Sequence, residues 1–348
     1  NTPMERTKNA VFAENDFIEK LSFTGDDLPN AIDLSANKRL KYVSFLACGV
    51  ENIDFSKFPS TLRDIHLSTN NLTKVDLSKF ADLETIRLLE NPKLQSVDFK
   101  KNKKLKVISI ARNPLIKEVD VSENKNLEML EAYECGLSQL DLSKNDVLKN
   151  LAVYNNKIKS IKFGKTDNIN ILDVRNNQLN NLDVSKMPLM QSLAVISNSD
   201  LSELNVKNCP NLVFLYVDST KISTVDVSNC PELKTLTASM TKLKQLDVSK
   251  NEKLENLSIE NCQGFTNLDV SKNKSLEVLI IAGNKFGFDA TKKIVNDLRD
   301  MTDEKPKEGI LGAFMLDDPN EKNQISEASV KLAASKNWTV GARDKDGN

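Results

Sequence analysis

The sequence contains few of the residues on which most catalytic and metal chemistry depends. Its 348 residues include one histidine, His66, and five cysteines, without the repeated Cys-x-x-Cys pairs that are typical of zinc sites. Aromatic residues make up only 5% of the chain. No zinc-binding helix motif, phosphate-binding loop, dinucleotide fingerprint or nucleophile elbow is present. We therefore predict that the protein is not an enzyme and that it uses no cofactor and no metal.

The charge and the hydropathy pattern exclude two further kinds of partner. Forty-eight basic and forty-nine acidic residues give a net charge of −1, so no global field attracts nucleic acid or an anionic membrane. The longest apolar run, residues 278–282, is far too short to cross a bilayer. The chain starts at Asn1, and its first thirty residues lack the apolar stretch of a secretory signal. We expect that a signal or lipid anchor was removed before Asn1.

An internal repeat of 21 or 22 residues is the most informative feature that is present. One half of each unit contains the phrase Leu-Asp-Val-Ser, as at residues 246–249, and we call this half the uniform strand. The other half, clear at Leu127, Leu130 and Ala132, is the variable strand. The first apolar residue of the uniform strand phases twelve units. These residues are Ile32, Ile53, Val75, Val97, Val119, Leu140, Ile161, Leu182, Leu204, Val225, Leu246 and Leu268.

The spacing of apolar residues within each half predicts the architecture. Apolar residues two apart, flanked by polar ones, are typical of a short strand with one buried face. Such a strand cannot bury its apolar face alone, so successive coils must stack and share one core. The sequence therefore predicts a β-rich α/β solenoid.

The repeat resembles the leucine-rich-repeat family. The family signature Leu-x-x-Leu-x-Leu-x-x-Asn-x-Leu is matched at residues 62–72 and, with one extra residue, at 83–94. The short, doubled unit looks most like the irregular bacterial class found in surface and secreted proteins, and it is distantly similar to internalins. Internalins lack the Leu-Asp-Val-Ser phrase, so their role in host-cell invasion is not implied. The resemblance implies a curved superhelix of parallel strands that binds a protein, displayed at the bacterial surface or secreted.

The repeat boundaries divide the chain into three segments. Residues 1–17 form a tether or N-terminal cap, residues 18–286 hold one half unit and twelve full units, and residues 287–348 form a small α/β cap. In the cap we predict a helix from the N-cap Asp289 to Met301, a strand at 309–316, a helix at 325–334 and a strand at 338–340. The second helix should turn Ala328, Leu332 and Ala333 inward. We expect one continuous elongated body, roughly 65 to 70 Å long at strand spacing.

The cysteines fall in positions that asparagine fills in most other coils. Cys48, Cys135 and Cys262 occupy the asparagine position of the variable strand, and Cys209 and Cys230 occupy that of the uniform strand. A small, buried side chain at a turn explains this placement, so we predict a structural role. Cys209 and Cys230 lie in adjacent coils within disulfide range. Side chains in one ladder point the same way, which favours unbridged thiols and leaves a bridge open.

The uniform strand carries aspartate at ten of twelve equivalent positions. These are Asp33, Asp54, Asp76, Asp98, Asp120, Asp141, Asp183, Asp226, Asp247 and Asp269. A column of carboxylates suits calcium, but the glycine-rich nonapeptide repeats that bind calcium in solenoids are missing. Aspartate also commonly accepts hydrogen bonds within its own turn. We predict a solvated, turn-supporting column.

The variable strand holds the candidate binding residues. Counted from its second apolar residue p, positions p−1, p+1 and p+3 point away from the core together, because side chains alternate along a strand. All four tyrosines and the only histidine lie at these positions, and tyrosine and arginine are enriched in binding hot spots. The predicted ligand-binding residues are Tyr42, His66, Arg87, Glu131, Tyr133, Tyr154, Asp173, Arg175, Tyr216 and Asp218.

Three readings of this surface follow. The first is a non-enzymatic module that binds a host or bacterial protein, with Tyr133, Tyr154 and Arg175 in one column at the centre of the patch. The second is carbohydrate capture, in which Tyr133 and Tyr154, about 5 Å apart, present their faces to sugar rings. The third is a passive spacer that holds another moiety away from the cell. In each reading we expect a monomer. The sequence does not identify the ligand.

Overall fold

The structure is a computed structural model that describes residues 17–25, 32–304, 307–316, 318 and 321–343. The chain forms two compact units, residues 1–169 and 170–348. Most of the predicted N-terminal tether, and Asp26 and Leu28 of the predicted half unit, lie outside the described residues. The boundaries predicted at residues 17 and 286 stay predictions.

The first unit is built from parallel strands of the variable type. Strands β1 to β6 and β8 are hydrogen-bonded side by side in that order, and β7 pairs with β9. A single 3-10 turn in this unit spans Phe55–Lys57 among the residues described. The strands are β1 (Lys20–Thr24), β2 (Tyr42–Leu46), β3 (Asp64–His66), β4 (Thr85–Arg87), β5 (Val107–Ser109), β6 (Met129–Glu131), β7 (Leu140–Leu142), β8 (Asn150–Ala152) and β9 (Ile161–Phe163).

The second unit repeats this pattern and adds two helices. Strands β10, β12 and β14 to β19 form a parallel series in that order, and β11 pairs with β13. The strands are β10 (Ile171–Asp173), β11 (Asn181–Asp183), β12 (Ser192–Ala194), β13 (Glu203–Asn205), β14 (Phe214–Tyr216), β15 (Thr235–Thr237), β16 (Asn256–Ser258), β17 (Val278–Ile280), β18 (Gly309–Met315) and β19 (Trp338–Arg343). The helices are α1 (Phe288–Asp297) and α2 (Glu327–Ser335), with a 3-10 turn at Thr302–Glu304.

Each variable strand from β2 to β17 buries its apolar residue p and leaves the residue before it half-buried or exposed. The residue after it is buried at Ser44, Ser109, Ala194 and Ile280. Ile65, Leu130 and Leu215 are fully buried, whereas their neighbours on both sides are half-buried or exposed. A large aliphatic side chain contributes about 1.5–3 kcal/mol when it is fully buried, and every coil supplies one at this position. The predicted alternation of inward and outward positions is confirmed. We call the parallel series of variable strands in each unit the variable sheet.

The uniform strand is less regular than predicted. Within the described residues it forms a true strand only in β7, β9, β11 and β13. In other coils its first apolar residue, such as Val97 or Val225, is only half-buried. The aspartate that follows accepts a hydrogen bond from the backbone N–H two residues further on in both kinds of coil, as at Asp141 in β7 and at Asp226, where no strand forms.

A ladder of buried asparagines joins successive coils. Asn91 is typical of the ladder beside the variable strand. Its Nδ2 donates to the carbonyls of Leu67 and Leu88, both at 3.0 Å, and its Oδ1 accepts from the backbone N–H of Leu72 at 3.1 Å. Asparagine is suited to this position because one side chain supplies both donors and an acceptor. The ladder therefore satisfies backbone groups that the turn would otherwise leave buried and unpaired.

The residue at p+4 adopts a left-handed backbone conformation in all twelve coils. Its φ lies between 50° and 69°, from Asn176 to Gly283. Glycine fills this position only at Gly283, and the other coils place residues such as Thr69, Arg112 and Met240 there. A left-handed φ costs most non-glycine residues about 1–2 kcal/mol. The solenoid therefore tolerates a strained residue in most of its coils.

This strain leads to a stability prediction at Thr69, a β-branched residue with φ of 57°. We expect Thr69→Asn to raise the free energy of unfolding by about 0.5–1 kcal/mol, because asparagine tolerates the left-handed region. Urea unfolding measures the change. Thr85→Asn, the same substitution on strand β4, is the matched control and should not stabilise the protein. Equal effects at the two positions would show that backbone strain is not the cause.

The C-terminal region of the second unit continues the sheet and partly corrects the predicted elements. Helix α1 begins after the N-cap Gly287 rather than at Asp289, and it ends at Asp297. Helix α2 begins after the N-cap Ser326, whose side chain accepts from the N–H of Ser329. Within this helix Ala328 is exposed, whereas Ser329 is buried with Ala333. The predicted inward position of Ala328 is wrong.

The cap imitates a further coil. Strand β18 pairs in parallel with β17. Asn323 makes the same kind of contacts as an asparagine of the ladder. Its Nδ2 donates to the carbonyls of Ile281 and Ala313, and its Oδ1 accepts from the N–H of Phe286. The carboxylate of Glu321 accepts from the N–H of Gly283 at 2.9 Å and of Met315 at 2.7 Å. Hydrogen bonds like those inside the repeat therefore continue into this C-terminal region. None of the helices described is long and apolar enough to span a membrane.

Candidate functional site

The structure places all ten predicted binding residues at outward positions of the variable sheet. Nine are half-buried, and Arg175 is exposed. Six lie in the first unit and four in the second. Their backbones are fixed by the parallel ladder, and only their side chains differ from coil to coil. The list in the first unit is Tyr42, His66, Arg87, Glu131, Tyr133 and Tyr154, and in the second it is Asp173, Arg175, Tyr216 and Asp218.

Tyr42 and His66 form the first contact on the variable sheet. Strands β2 and β3 place them side by side, with ring centroids 5.0 Å apart in an edge-to-face arrangement and 3.3 Å between the Tyr42 hydroxyl and His66 Nδ1. Burial, with the nearby Arg87 cation, lowers the pKa of His66. The imidazole is therefore neutral at pH 7, and its Nδ1 lies within hydrogen-bond distance of the Tyr42 hydroxyl.

Arg87 and Glu131 form an ion pair across the sheet. Their closest atoms are 3.5 Å apart, although strand β5 lies between their strands β4 and β6. The pair spans Ser109, which is only 2% exposed. Both side chains remain about a third exposed to solvent, so this pair contributes little to stability. Its charges stay accessible to a ligand.

Tyr133 and Tyr154 are brought together as predicted, but in a closed geometry. Their ring centroids lie 4.3 Å apart with planes inclined by 6°, which is a parallel stack. Each ring therefore covers one face of the other. The pair presents ring edges and hydroxyl groups, together with the outer faces of the stack.

Asp173 and Arg175 are engaged with one another in the second unit. Arg175 donates to the Asp173 carboxylate from Nε at 2.8 Å and from a terminal nitrogen at 2.6 Å. Such a two-pronged contact is the strongest form of this pairing. A ligand would therefore contact the Asp173–Arg175 ion pair rather than an isolated arginine cation.

Strand β14 carries an aromatic residue that the sequence analysis did not select. Phe214 precedes Tyr216 by two residues, and its side chain is 39% exposed. The two ring centroids are 6.4 Å apart and the planes are inclined by 2°. Ile171 and Met240, at 42% and 56% exposed, are further apolar residues on this side of the second unit. The signal in the sequence was an aromatic residue at p−1, which among the twelve coils is shared only with Tyr42.

The cysteines have the properties of packing residues. None of the five forms a disulfide in the described part of the chain. Burial raises the pKa of the Cys209 thiol to about 11 and that of Cys230 to about 12. The Sγ of Cys209 donates to the carbonyl of Val184 at 3.4 Å, as an asparagine of the ladder would. A protonated, buried thiol is a poor nucleophile and a poor metal ligand.

The aspartate column supports turns as predicted. In coil after coil the carboxylate accepts from the backbone N–H two residues later, as in Asp76 to Ser78 and Asp247 to Ser249, both at 2.9 Å. Hydrogen bonds from Ser143, with Lys162 nearby, lower the pKa of Asp141 to about 2. The described residues contain no group of three or more histidine, cysteine, aspartate or glutamate residues that could hold a metal ion.

Comparison with known proteins identifies the fold. No family model and no curated protein matches the sequence. Among solved structures, the functional domain of InlJ from Listeria monocytogenes is 23% identical, with a TM-score of 0.72 over 89% of this chain and 70% of that one. A leucine-rich-repeat protein from Leptospira interrogans is 20% identical, with a TM-score of 0.73 over 94% and 90%.

A third structure, the complex of Toll with Spatzle from Drosophila, is 16% identical, with a TM-score of 0.62 over 94% of this chain and 54% of that one. The protein is a β-solenoid of parallel strands with the leucine-rich-repeat fold. Its architecture is that of bacterial proteins such as the two above, which confirms the fold class predicted from the repeat.

Proposed function

We propose that the protein is a non-enzymatic binding module that holds a protein ligand on its variable sheet. The observation that carries this proposal is the placement of the aromatic residues. All four tyrosines, with Phe214, stand at outward positions of the variable strands, half-buried or exposed. The backbone beneath them repeats from coil to coil, so the side chains alone distinguish one coil from the next.

Physical chemistry favours a protein ligand at such a surface. Tyrosine gives a large, rigid contact area with a polar tip, and it is enriched in binding hot spots. The Arg87–Glu131 pair adds solvent-accessible charged groups to the variable sheet of the unit that holds Tyr133 and Tyr154. In the structure of Toll with Spatzle, a protein of the same fold is seen in complex with a protein. That comparison supports the capacity of the fold and not a particular partner.

The closed tyrosine stack argues against carbohydrate as the ligand. A sugar ring packs against the open face of an aromatic ring, and the facing surfaces of Tyr133 and Tyr154 are occupied by one another at 4.3 Å. The ring edges, the hydroxyls and the two outer faces that remain suit hydrogen bonding and packing against a protein surface. Protein recognition is therefore the better-supported reading of this pair.

The decisive test is the variant that combines Tyr133→Ala with Tyr154→Ala. Partners are first captured from host and bacterial lysates, and the affinity of each identified partner is then measured by titration. We expect the variant to weaken binding by about 2 kcal/mol, roughly thirty-fold, because the pair is a rigid aromatic anchor. Thermal unfolding checks that the variant remains folded.

The matched control combines Lys101→Ala with Lys144→Ala on the uniform side of the same unit. This control should leave the affinity unchanged. If both double variants bind every identified partner as the parent chain does, the tyrosine pair is not part of the site. A glycan-array signal that disappears in the tyrosine variant, with protein capture unaffected, would favour the carbohydrate reading instead.

We further propose that the protein acts as a monomer outside the cell, either on the bacterial surface or secreted. The resemblance of its repeat to the irregular bacterial class supports this location. Protease treatment of intact cells, followed by detection of the chain in cells and medium, tests it. Full protection of the chain inside intact cells would contradict the proposal. Light scattering on the purified chain tests the monomer.

A further inference from the structure

Strand β14 and the segment that follows it place two aromatic residues and a carboxylate at successive outward positions. They are Phe214, Tyr216 and Asp218, and the first two are 6.4 Å apart between ring centroids with nearly parallel planes. Aromatic rings in direct contact, such as Tyr133 and Tyr154, lie 4.3 Å apart. At 6.4 Å the two rings cover little of one another's faces. This second aromatic pair is therefore open where the first is closed.

The neighbouring strands leave the row accessible. On β12 the residues beside Phe214 and Tyr216 are Ser192 and Ala194, and on β15 they are Thr235 and Thr237. All four are small, so the two rings rise above the surface on either side. A flat chemical group can approach the ring faces from the adjacent coils.

Asp218 places a fixed negative charge at the end of the row. Its carboxylate accepts from the hydroxyl of Thr237 and from the backbone N–H of Ser239, the latter at 2.8 Å. These contacts hold it in position, and a carboxylate has about four acceptor sites in all. Two or more acceptor sites therefore remain for a ligand.

The charged residues at outward positions near the row are acidic, and the neighbouring Lys234 is paired with Glu255. Between β12 and β17 the outward positions carry two charged residues, Asp218 and Glu260, and both are acidic. The one cation at an outward position of β10, Arg175, is paired with Asp173. This part of the variable sheet thus complements a positively charged partner.

We propose that the row Phe214, Tyr216 and Asp218 binds an arginine side chain of the protein ligand. Guanidinium is flat, stacks on aromatic faces and is weakly hydrated, and it donates two parallel hydrogen bonds to a carboxylate. Open ring faces followed by an anchored carboxylate match each of these properties. Lysine, a compact and strongly hydrated ammonium, gains less from the rings. This inference rests on the proposed function and specifies the chemistry of the ligand.

The test uses the intact chain and small probes rather than an unidentified partner. Ring signals of labelled phenylalanine and tyrosine are followed by NMR during titration with N-acetyl-arginine amide, and in parallel with the lysine and citrulline analogues. Citrulline keeps the flat group and removes the charge. We expect the arginine probe to shift the Phe214 and Tyr216 signals saturably, and to bind at least about five-fold more tightly than either analogue.

Three variants complete the test. Phe214→Leu keeps an apolar side chain and removes the ring. Asp218→Asn keeps an acceptor for the Ser239 N–H, can donate to the Thr237 hydroxyl and removes the charge. Each should weaken arginine binding by about five-fold. Phe288→Ala removes another exposed phenylalanine of this unit, 55% exposed on α1, and should leave binding unchanged. Equal affinity for arginine and lysine, or an arginine affinity unaltered by Phe214→Leu, would overturn the inference.

Failure of the arginine site and failure of the proposed function give different results. If an identified partner loses affinity with the Tyr133 and Tyr154 variant but not with Phe214→Leu or Asp218→Asn, the arginine site is wrong and the proposed function stands. If the arginine probe binds as expected but no substitution on the variable sheet alters binding of any protein partner, the proposed function fails instead.

Discussion

Replacing Trp338 with alanine is expected to lower the free energy of unfolding by about 3–5 kcal/mol, because a large buried side chain leaves a cavity that its neighbours only partly fill. Trp338, at the start of β19, is the only tryptophan of the chain and is 1% exposed. Its Nε1 donates to the carbonyl of Arg299 at 2.9 Å. The indole also packs against Gly309 so closely that a Cβ added there would lie 2.3 Å from the ring.

The measurement is urea unfolding followed by far-UV circular dichroism. In a repeat protein the terminal coil shields the core of the one before it, so we expect the variant to lose the cap at lower urea than the rest of the chain. Two controls accompany it. Trp338→Phe keeps most of the packing and should cost less, and Phe288→Ala removes an exposed ring of the same region and should be nearly neutral. An unchanged midpoint for Trp338→Ala would show that the cap is not a cooperative part of the second unit.

The fold could be predicted because two different positions of the unit recur in every coil. One is the buried aliphatic residue of each variable strand, such as Leu130. The other is the ladder position five residues later, which holds asparagine at Asn70 and cysteine at Cys135. Local errors are averaged over twelve copies. The cap lacks copies, and there the sequence pattern misplaced the start of both helices. The apolar spacing alone does not decide which residue caps α2, and in the structure it is Ser326.

The candidate site was predictable in position but not in geometry. Alternation along a strand identifies which residues face outward, and it placed Tyr133, Tyr154 and Tyr216 correctly. It does not give side-chain rotamers, so the closed stack of one aromatic pair and the open arrangement of the other could not be foreseen. The selection of tyrosine, arginine and acidic residues also left out Phe214. The left-handed backbone at p+4 could not be predicted from the sequence, because residues such as Thr69 are not typical of that conformation.

The two asparagine ladders look alike in the sequence and differ in the structure. Beside the variable strand, Asn91 uses both ends of its amide, since Nδ2 donates to carbonyls and Oδ1 accepts from Leu72. Beside the uniform strand, Asn124 donates from Nδ2 to the carbonyls of Phe99 and Asn102. Its Oδ1 is buried and has no hydrogen-bond partner among the described residues. Natural cysteines occupy both ladders, at Cys48, Cys135 and Cys262 beside the variable strand and at Cys209 and Cys230 beside the uniform strand.

The difference between the two ladders predicts unequal effects of one substitution. Asn91→Cys removes a donor to two carbonyls and the acceptor for a buried N–H, so we expect a loss of about 3–5 kcal/mol in the free energy of unfolding. Asn124→Cys also removes a buried oxygen that had no partner, and a thiol can still donate to one carbonyl, as Cys209 does to Val184. We expect a loss of about 1 kcal/mol there, the size of one net hydrogen bond.

Urea unfolding of both variants under reducing conditions measures the difference, which should exceed about 2 kcal/mol. Reducing agent is needed so that neither new thiol forms a disulfide with another chain. Asn91→Asp provides a further check, because it keeps the acceptor for Leu72 and removes the donors, and it buries a charge. It should therefore destabilise the protein at least as much as Asn91→Cys does. Equal losses for the two cysteine variants would mean that the Oδ1 contact to the Leu72 N–H contributes nothing, and that donation to the carbonyls alone holds successive coils together.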